Sequence, residues 1–449
     1  MFFNLIYTVA LVIAAPVVIY RRVRHGRYRR GQRQKLFGLS RDCAESITGG
    51  RACRWVHAVS VGEVQLLPDV VARLRRSDPE TPVAISVSTD TGYDLARRHF
   101  GDAVFFCPLD FTWAVRRTLD NLRCKELILV ELELWPNLIA AASRRGNVRV
   151  INARLSRRSF SGYRRLGRLL AATFGRIDAV ACQDDPSGRR FEDLGVAPER
   201  ISVTGSIKFD NAPRDRSAVP VMALVDWAGA ASHRTWVLGS SGPGEEAMVL
   251  AIYRRLVDEF SDLRLVIVPR HPPRFDGVAS LINDAGLRCV RRSVCEGQTA
   301  WPPENVVLVD RIGELRDWWG LATIATVGGT FGDRGGQNMI EPAGYGAAVS
   351  FGPDTRNFRV IADAMIKADA AVRVGDAGEL ERFVSRMLGD RDDADRMGRR
   401  AIALVDRHRG AIDRTMAVLC PNDAADNPNI EPPGDQPPGD QPRGVRAAA

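Results

Sequence analysis

The stretch ILVELELWPNLI, residues 128–139, joins an apolar strand, two glutamates and a helix start. Ile128, Leu129 and Val130 read as the middle of a buried strand. Pro136 reads as the first position of a helix, where its missing N–H costs nothing. Strand followed directly by helix is the repeating step of a parallel sheet. If the strand persists, Glu131 and Glu133 point to one face. Two carboxylates at the end of an apolar strand are costly unless something uses them. One reading pairs them with nearby arginines such as Arg154 or Arg157. The other has them stabilise a cationic transition state or bind hydroxyls.

The same step recurs on both sides. WVHAVS (55–60), VAISVS (83–88), LILV (127–130), VRVIN (148–152), AVAC from Ala179, and ISVT (201–204) read as strands. Amphipathic stretches at 91–100, 136–145 and 186–195 lie between them, which predicts β-α alternation. NAPRDRSAVP (211–220) breaks the rhythm with two prolines and mixed charge, and reads as a linker. The rhythm then restarts with strands at 235–240, 264–269, 306–309, 324–329 and 348–352. Helical stretches at 244–259, 275–285, 313–320 and 337–346 accompany them. The expectation is two doubly wound α/β halves, with ligands at the carboxyl ends of their strands and a site in the cleft between them. The segments expected are 1–20, 21–35, 36–212, 213–420 and 421–449. The last contains PPGDQPPGDQP, too poor in apolar residues to fold alone.

The first segment, MFFNLIYTVALVIAAPVVIY, carries no charge. Roughly 20 apolar residues suffice to span a bilayer. Arg21, Arg22, Arg24, Arg27, Arg29, Arg30, Arg33 and Lys35 follow with no acid among them, and they nearly account for the net charge of +9. A cleaved signal peptide would carry its positive charge before the apolar run. Arginines after it predict an uncleaved anchor with the rest of the chain in the cytoplasm. Such a run suits anionic lipid better than nucleic acid here. The eight cysteines are scattered without a C-x-x-C pair, so neither a zinc site nor a disulfide framework is expected.

Several strand ends carry candidate chemistry. In HAVSVGEVQLL (57–67), Glu63 falls in the first turn of a helix, where acids suit the dipole. It is also a candidate general base; His57, inside the strand, reads as a core histidine. INARLSRRSFSGYRR (151–165) offers hydroxyls and arginine forks to phosphate. GSIKFD (205–210) puts Lys208 just beyond the last strand of the first half. GSSGPGEEAM (239–248) resembles a phosphate-cradling loop with free N–H groups, although it lacks a P-loop lysine. VPRHPPRF (268–275) puts Arg270 at a strand end. Trp318 and Trp319, after RIGEL (311–315), read as core. In the glycine-rich segment 328–358, loop N–H groups would hold phosphate and Glu341 ribose hydroxyls.

Together, HAVSVGEV, ELELWPNL, NARLSRRSF, GSIKFD, GPGEE, VPRHPPRF and GGQNMIEPAGYG resemble, in order, the motifs of the lipopolysaccharide 3-deoxy-D-manno-octulosonic acid (Kdo) transferases. The resemblance runs from the first segment to about residue 410. It implies a GT-B glycosyltransferase with two Rossmann-like domains facing a cleft, an N-terminal membrane-anchor helix, and a place on the cytoplasmic face of the inner membrane. It implies CMP-Kdo as donor, a lipid A precursor as acceptor, an anionic membrane surface as partner, and neither metal nor cofactor. The family's base falls on Glu63, and its transition-state-assisting positions on Glu131 and Lys208. Its CMP contacts fall on Pro269, Arg270, Ile312, Gly313, Glu314, Asn338, Met339, Ile340 and Glu341, the last as ribose ligand. Gln337 and Gly242 stand where the family carries histidines. Thr89 to Gly92 is a loose form of its threonine-rich turn. Two other readings use the same features: a GT-B enzyme taking a UDP-sugar, and a catalytically inactive sugar-nucleotide-binding protein.

Overall fold

The computed structural model describes residues 2–25, 30–295, 297 and 301–421. The chain forms two compact units. The first runs to Asp210 and is rejoined by the segment that begins at Arg409; the second is Asn211–His408.

In the first unit, seven strands form one sheet: β1 (Cys53–Ala58), β2 (Val83–Val87), β3 (Val104–Phe106), β4 (Cys124–Val130), β5 (Asn147–Ala153), β6 (Ala179–Cys182) and β7 (Ile201–Val203). Their order is β3-β2-β1-β4-β5-β6-β7, with every neighbouring pair parallel. Parallel strands need crossover helices, and those helices bury both faces of the sheet. Side chains of β4 therefore alternate between two apolar layers. Leu127 and Leu129 join Trp55, Phe105 and Val150 on one face, while Ile128 and Val130 join Val56, Ile85 and Ile151 on the other. Strand order reverses between β1 and β4, and the loops leaving those two strands flank the crevice where such sheets bind ligands.

The second unit repeats the plan with β8 (Arg234–Ser241), β9 (Leu263–Pro269), β10 (Arg288–Arg291), β11 (Asn305–Leu308), β12 (Ala322–Val327), β13 (Ala348–Phe351) and β14 (Ala371–Arg373). The order is β10-β11-β9-β8-β12-β13-β14, again all parallel. Its reversal lies between β8 and β12.

One expectation fails at the C-terminal end. Residues 411–419 fall within the expected segment 213–420, yet the helix Ala411–Leu419 packs on the first unit, burying Ala411, Ile412 and Leu419 in that unit's core. The reason is local. Asp210 accepts hydrogen bonds from the N–H groups of Gly410 (2.6 Å) and Ile412 (2.5 Å) at that helix's start. Arg414 donates to the carbonyl of Thr204 at 2.9 Å.

The apolar N-terminal stretch forms the helix Phe2–His25. Its polar interruption, Asn4, docks it: the Asn4 amide donates to Thr112 Oγ1 at 2.8 Å, and its oxygen accepts from Thr112 N and Asn137 Nδ2. Tyr7 meets Phe111 edge-on. Leu5, Val9, Val12, Ile13 and Val17 stay exposed. Among the described residues no helix is long and apolar enough to cross a membrane. Arg27 and Arg29 of the basic segment lie outside the described residues, as does the tail from residue 422.

Candidate active site

The first cluster lies at the carboxyl ends of β1 and β4. After β1 the chain turns into a short helix, Val61–Val64. Glu63 reaches back over that turn: its Oε2 accepts from the Val59 N–H at 2.7 Å and its Oε1 from the Ser60 hydroxyl at 3.0 Å. The side chain is buried. Burial pushes its pKa above the usual carboxylate range, and the charge of Glu131 adds to that, while the Val59 N–H, Ser60 and Lys208 pull it back. Thr89 braces the same turn, donating to the Val59 carbonyl at 3.2 Å and capping the helix Asp90–Phe100 through Gly92 N.

β4 does not run on through the glutamates. It ends at Val130, and Glu131 adopts a left-handed backbone with φ 60°. This conformation is uncommon for a side chain with a Cβ and tends to occur where a site demands it. The turn separates the two acids. Glu131 Oε1 takes the ammonium of Lys208 at 3.0 Å and lies 3.5 Å from Asn152 Nδ2. Lys208 sits in the turn Ile207–Phe209, whose first N–H donates to Asn152 Oδ1 at 3.2 Å. Glu133 instead accepts from the indole N–H of Trp135 at 2.8 Å. Neither glutamate pairs with Arg154 or Arg157; the cation is Lys208. Burial, then the charge of Glu63, raises the Glu133 carboxyl to about 7. The WPN that follows is fixed by Asp110, whose carboxylate accepts from the N–H groups of Asn137 (3.0 Å) and Leu138 (2.7 Å) at the start of helix Pro136–Ala142. His57 is a core residue: fully buried, its Nδ1 is 2.8 Å from Ser86 Oγ, and burial lowers its pKa to about 4.

The second cluster lies at the carboxyl ends of β8 and β12. The glycine loop after β8 does not offer all its N–H groups to a ligand. Glu245 fills the nest from within: Oε2 accepts from Gly242 N (2.7 Å) and Gly329 N (2.8 Å), and Oε1 from Thr330 N (3.0 Å) and Phe331 N (3.1 Å). Its neighbour Glu246 is buried against Arg274, with contacts of 2.7 and 2.8 Å. Glu245 thus knits the β8 and β12 loops together, while Glu246 ties the end of β8 to the turn Pro272–Arg274 after β9. Sequence reading missed both roles, although an acid pair directly after a glycine loop was the available signal.

Around this frame the expected nucleotide residues separate. Pro269 ends β9, and Arg270 is exposed with its N–H on the Ser241 carbonyl. Glu341, at the start of the short helix Ile340–Gly344, has a carboxyl raised by burial and lowered by Asn338, Arg316 and Arg270. The Asn338 amide donates to Glu341 at 3.0 Å. So Asn338, Arg270 and Glu341 share one neighbourhood. Met339 and Ile340 point into the core, fully buried, and have only backbone to offer a ligand. Ile312 is exposed and Gly313 has φ 98°. The Glu314 side chain is engaged with Arg292 (3.0 Å) and the Trp318 indole (3.3 Å). Trp318 and Trp319 are core, as expected.

Two tandem parallel-sheet units, with polar side chains gathered at each strand-order reversal, define a GT-B-like α/β fold. A UDP-GlcNAc 2-epimerase from Neisseria meningitidis bound to UDP-GlcNAc shares the fold, with a TM-score of 0.55 over 82% of this chain and 99% of that one, at 11% identity. Residues 22–211 match the family profile described as 3-Deoxy-D-manno-octulosonic-acid transferase (kdotransferase). A 3-deoxy-D-manno-octulosonic acid transferase of Bordetella pertussis is 35% identical over 432 residues, covering 92% of this chain and 98% of that protein. One from Haemophilus influenzae is 32% identical over 431 residues, covering 92% and 97%. The chain belongs to the 3-deoxy-D-manno-octulosonic acid transferase family, and is a glycosyltransferase.

Proposed function

We propose that the enzyme transfers Kdo from CMP-Kdo to a lipid A precursor in lipopolysaccharide core synthesis, with Glu63 as general base. The observation that carries the reading is the carboxylate of Glu63, aimed by Val59 N–H and Ser60 beside the Glu131–Lys208 pair, in a chain of this family. Glu63 takes the proton of the acceptor hydroxyl as that oxygen bonds to the anomeric carbon. The bond from that carbon to the CMP phosphate oxygen breaks, and its electron pair leaves with CMP. Glu131 faces the positive charge that develops on the sugar, and Lys208 orients Glu131. Arg270 meets the departing phosphate, and Glu341 the ribose hydroxyls. Backbone groups of Ile312, Gly313, Met339 and Ile340, with Pro269, Glu314 and Asn338, shape the CMP contact.

The helix Phe2–His25 holds the enzyme on the cytoplasmic face of the inner membrane. Its exposed Leu5, Val9, Val12, Ile13 and Val17 enter the apolar layer. The basic residues that follow meet anionic head groups. This keeps the site next to a lipid-embedded acceptor.

The test is donor choice. CMP-Kdo and a tetraacyl lipid A precursor should give a Kdo-bearing lipid by mass spectrometry, and Glu63→Ala should abolish it. Turnover of a UDP-sugar with none of CMP-Kdo would replace this reading with the UDP-sugar one. Binding of CMP-Kdo without transfer would point to an inactive binding protein.

A further inference from the structure

Among the described residues, three carboxyls, Glu63, Glu131 and Glu133, gather at the ends of β1 and β4, and the ammonium of Lys208 pairs with Glu131. Glu63 is satisfied by Val59 N–H and Ser60. Glu133 is not: among the described residues its hydrogen bond is the single one from Trp135. Its chain neighbours Leu132, Leu134 and Trp135 pack, partly buried, against the apolar core, as do Phe160 and Tyr163 of the helix Arg157–Phe174. The titratable groups that face it are Glu63 and Glu131, with Tyr163 from the helix Arg157–Phe174 and Cys107 after β3; Lys208 faces Glu131 and Glu63. Nothing in that set favours a negative charge on Glu133.

The substrate sharpens the difficulty. On the functional reading above, the transferred sugar is an ulosonic acid, whose carboxyl group is bonded to the carbon that is attacked. Its negative charge must therefore come close to Glu63. A cluster of three ionised glutamates with one lysine would repel it.

We infer that Glu133 works as a neutral carboxylic acid that donates its O–H to the carboxylate of the incoming sugar. It is then a specificity-determining residue for sugars with an acid group on the reacting carbon. A charge-assisted O–H···O⁻ bond is among the stronger hydrogen bonds available to such a contact. Trp135 holds one oxygen and leaves the other to the sugar. The raised carboxyl of Glu133 supports this role at neutral pH.

The experiment is the pH dependence of the donor KM for CMP-Kdo in the full-length protein. In the wild type the donor KM should rise as pH passes about 7, approaching about tenfold per pH unit on the alkaline side. Glu133→Gln keeps a donor for the sugar and an acceptor for Trp135, so its donor KM should stay flat from pH 6 to pH 8.5. Glu133→Ala should raise the donor KM about tenfold or more at pH 6. A Glu133→Gln profile that follows the wild type overturns the inference. So does a Glu133→Gln donor KM raised as far as that of Glu133→Ala at pH 6. Should the alanine variant not fold, the glutamine profile decides alone. Wild-type enzyme that does not turn over CMP-Kdo at any pH overturns the functional reading, and this inference with it. Turnover with unchanged pH profiles overturns the inference only.

Discussion

The ammonium of Lys208 lies 3.0 Å from Glu131 Oε1, across 77 residues of sequence, and both side chains are about three-quarters buried. Breaking such a pair leaves an uncompensated charge. Here that charge is next to Glu63, whose carboxyl Glu131 already raises and Lys208 lowers. Lys208→Met should therefore move the acid limb of kcat/KM upward by about 0.5 to 1 pH unit, besides lowering the maximum. A pH–rate profile with saturating donor checks it; an unmoved limb would separate Lys208 from the base.

Glu63→Gln keeps the size of the side chain and an oxygen for the Val59 N–H, but no basic group. We expect kcat to fall by about a hundred- to ten-thousand-fold, with the acceptor KM changed little. Single-turnover transfer to the lipid acceptor measures this directly. An equal rise of KM at constant kcat would mean that Glu63 binds the acceptor without taking its proton.

Glu133 also makes stability depend on pH. Its folded pKa, about 7, lies above the unfolded value of about 4.3. The group's favourable contribution is thus complete below about pH 4 and is lost as pH rises through 7. Glu133→Gln removes the titration. The Tm of the variant minus that of the wild type should grow between pH 4 and 7 and level off above. Differential scanning calorimetry across that range gives the answer; a constant difference would mean that Glu133 ionises normally.

Glu245 closes four backbone N–H groups from two loops. Glu245→Ala leaves these donors buried without an acceptor, and each such group is costly. The expected loss is more than about 3 kcal/mol, read from urea unfolding. Glu245→Gln should recover only part of it, because an amide nitrogen cannot accept.

Much of this was legible in the residues. Eleven of the strands follow from short β-branched runs spaced by amphipathic helices. The three that escaped, β3, β10 and β14, are three or four residues long and lie at sheet edges. An edge strand pairs on one side only, so it needs less of the apolar run that marks a central one. Glu63, Glu131 and Lys208 stood out because each lies within about five residues of the end of a strand. The residues leave Glu133 open between pairing with arginines and meeting a cation or hydroxyls, since nothing local says that β4 stops at Val130 and that Glu131 turns left-handed. Asp110 and Glu245 were silent for another reason: their partners are backbone N–H groups from distant segments, which leave no mark of side-chain type.

The return of helix Ala411–Leu419 to the first unit has a consequence for how the enzyme is made. On the ribosome, Asp210 emerges about 200 residues before its partners at Gly410 and Ile412. At the usual 5–20 residues per second, that is a wait of roughly 10–40 s. Throughout it the nascent first domain holds Lys208 and Asp210 without the segment that fastens them. The whole second domain is synthesised, with time to fold, before the turn carrying Lys208 gains its last support.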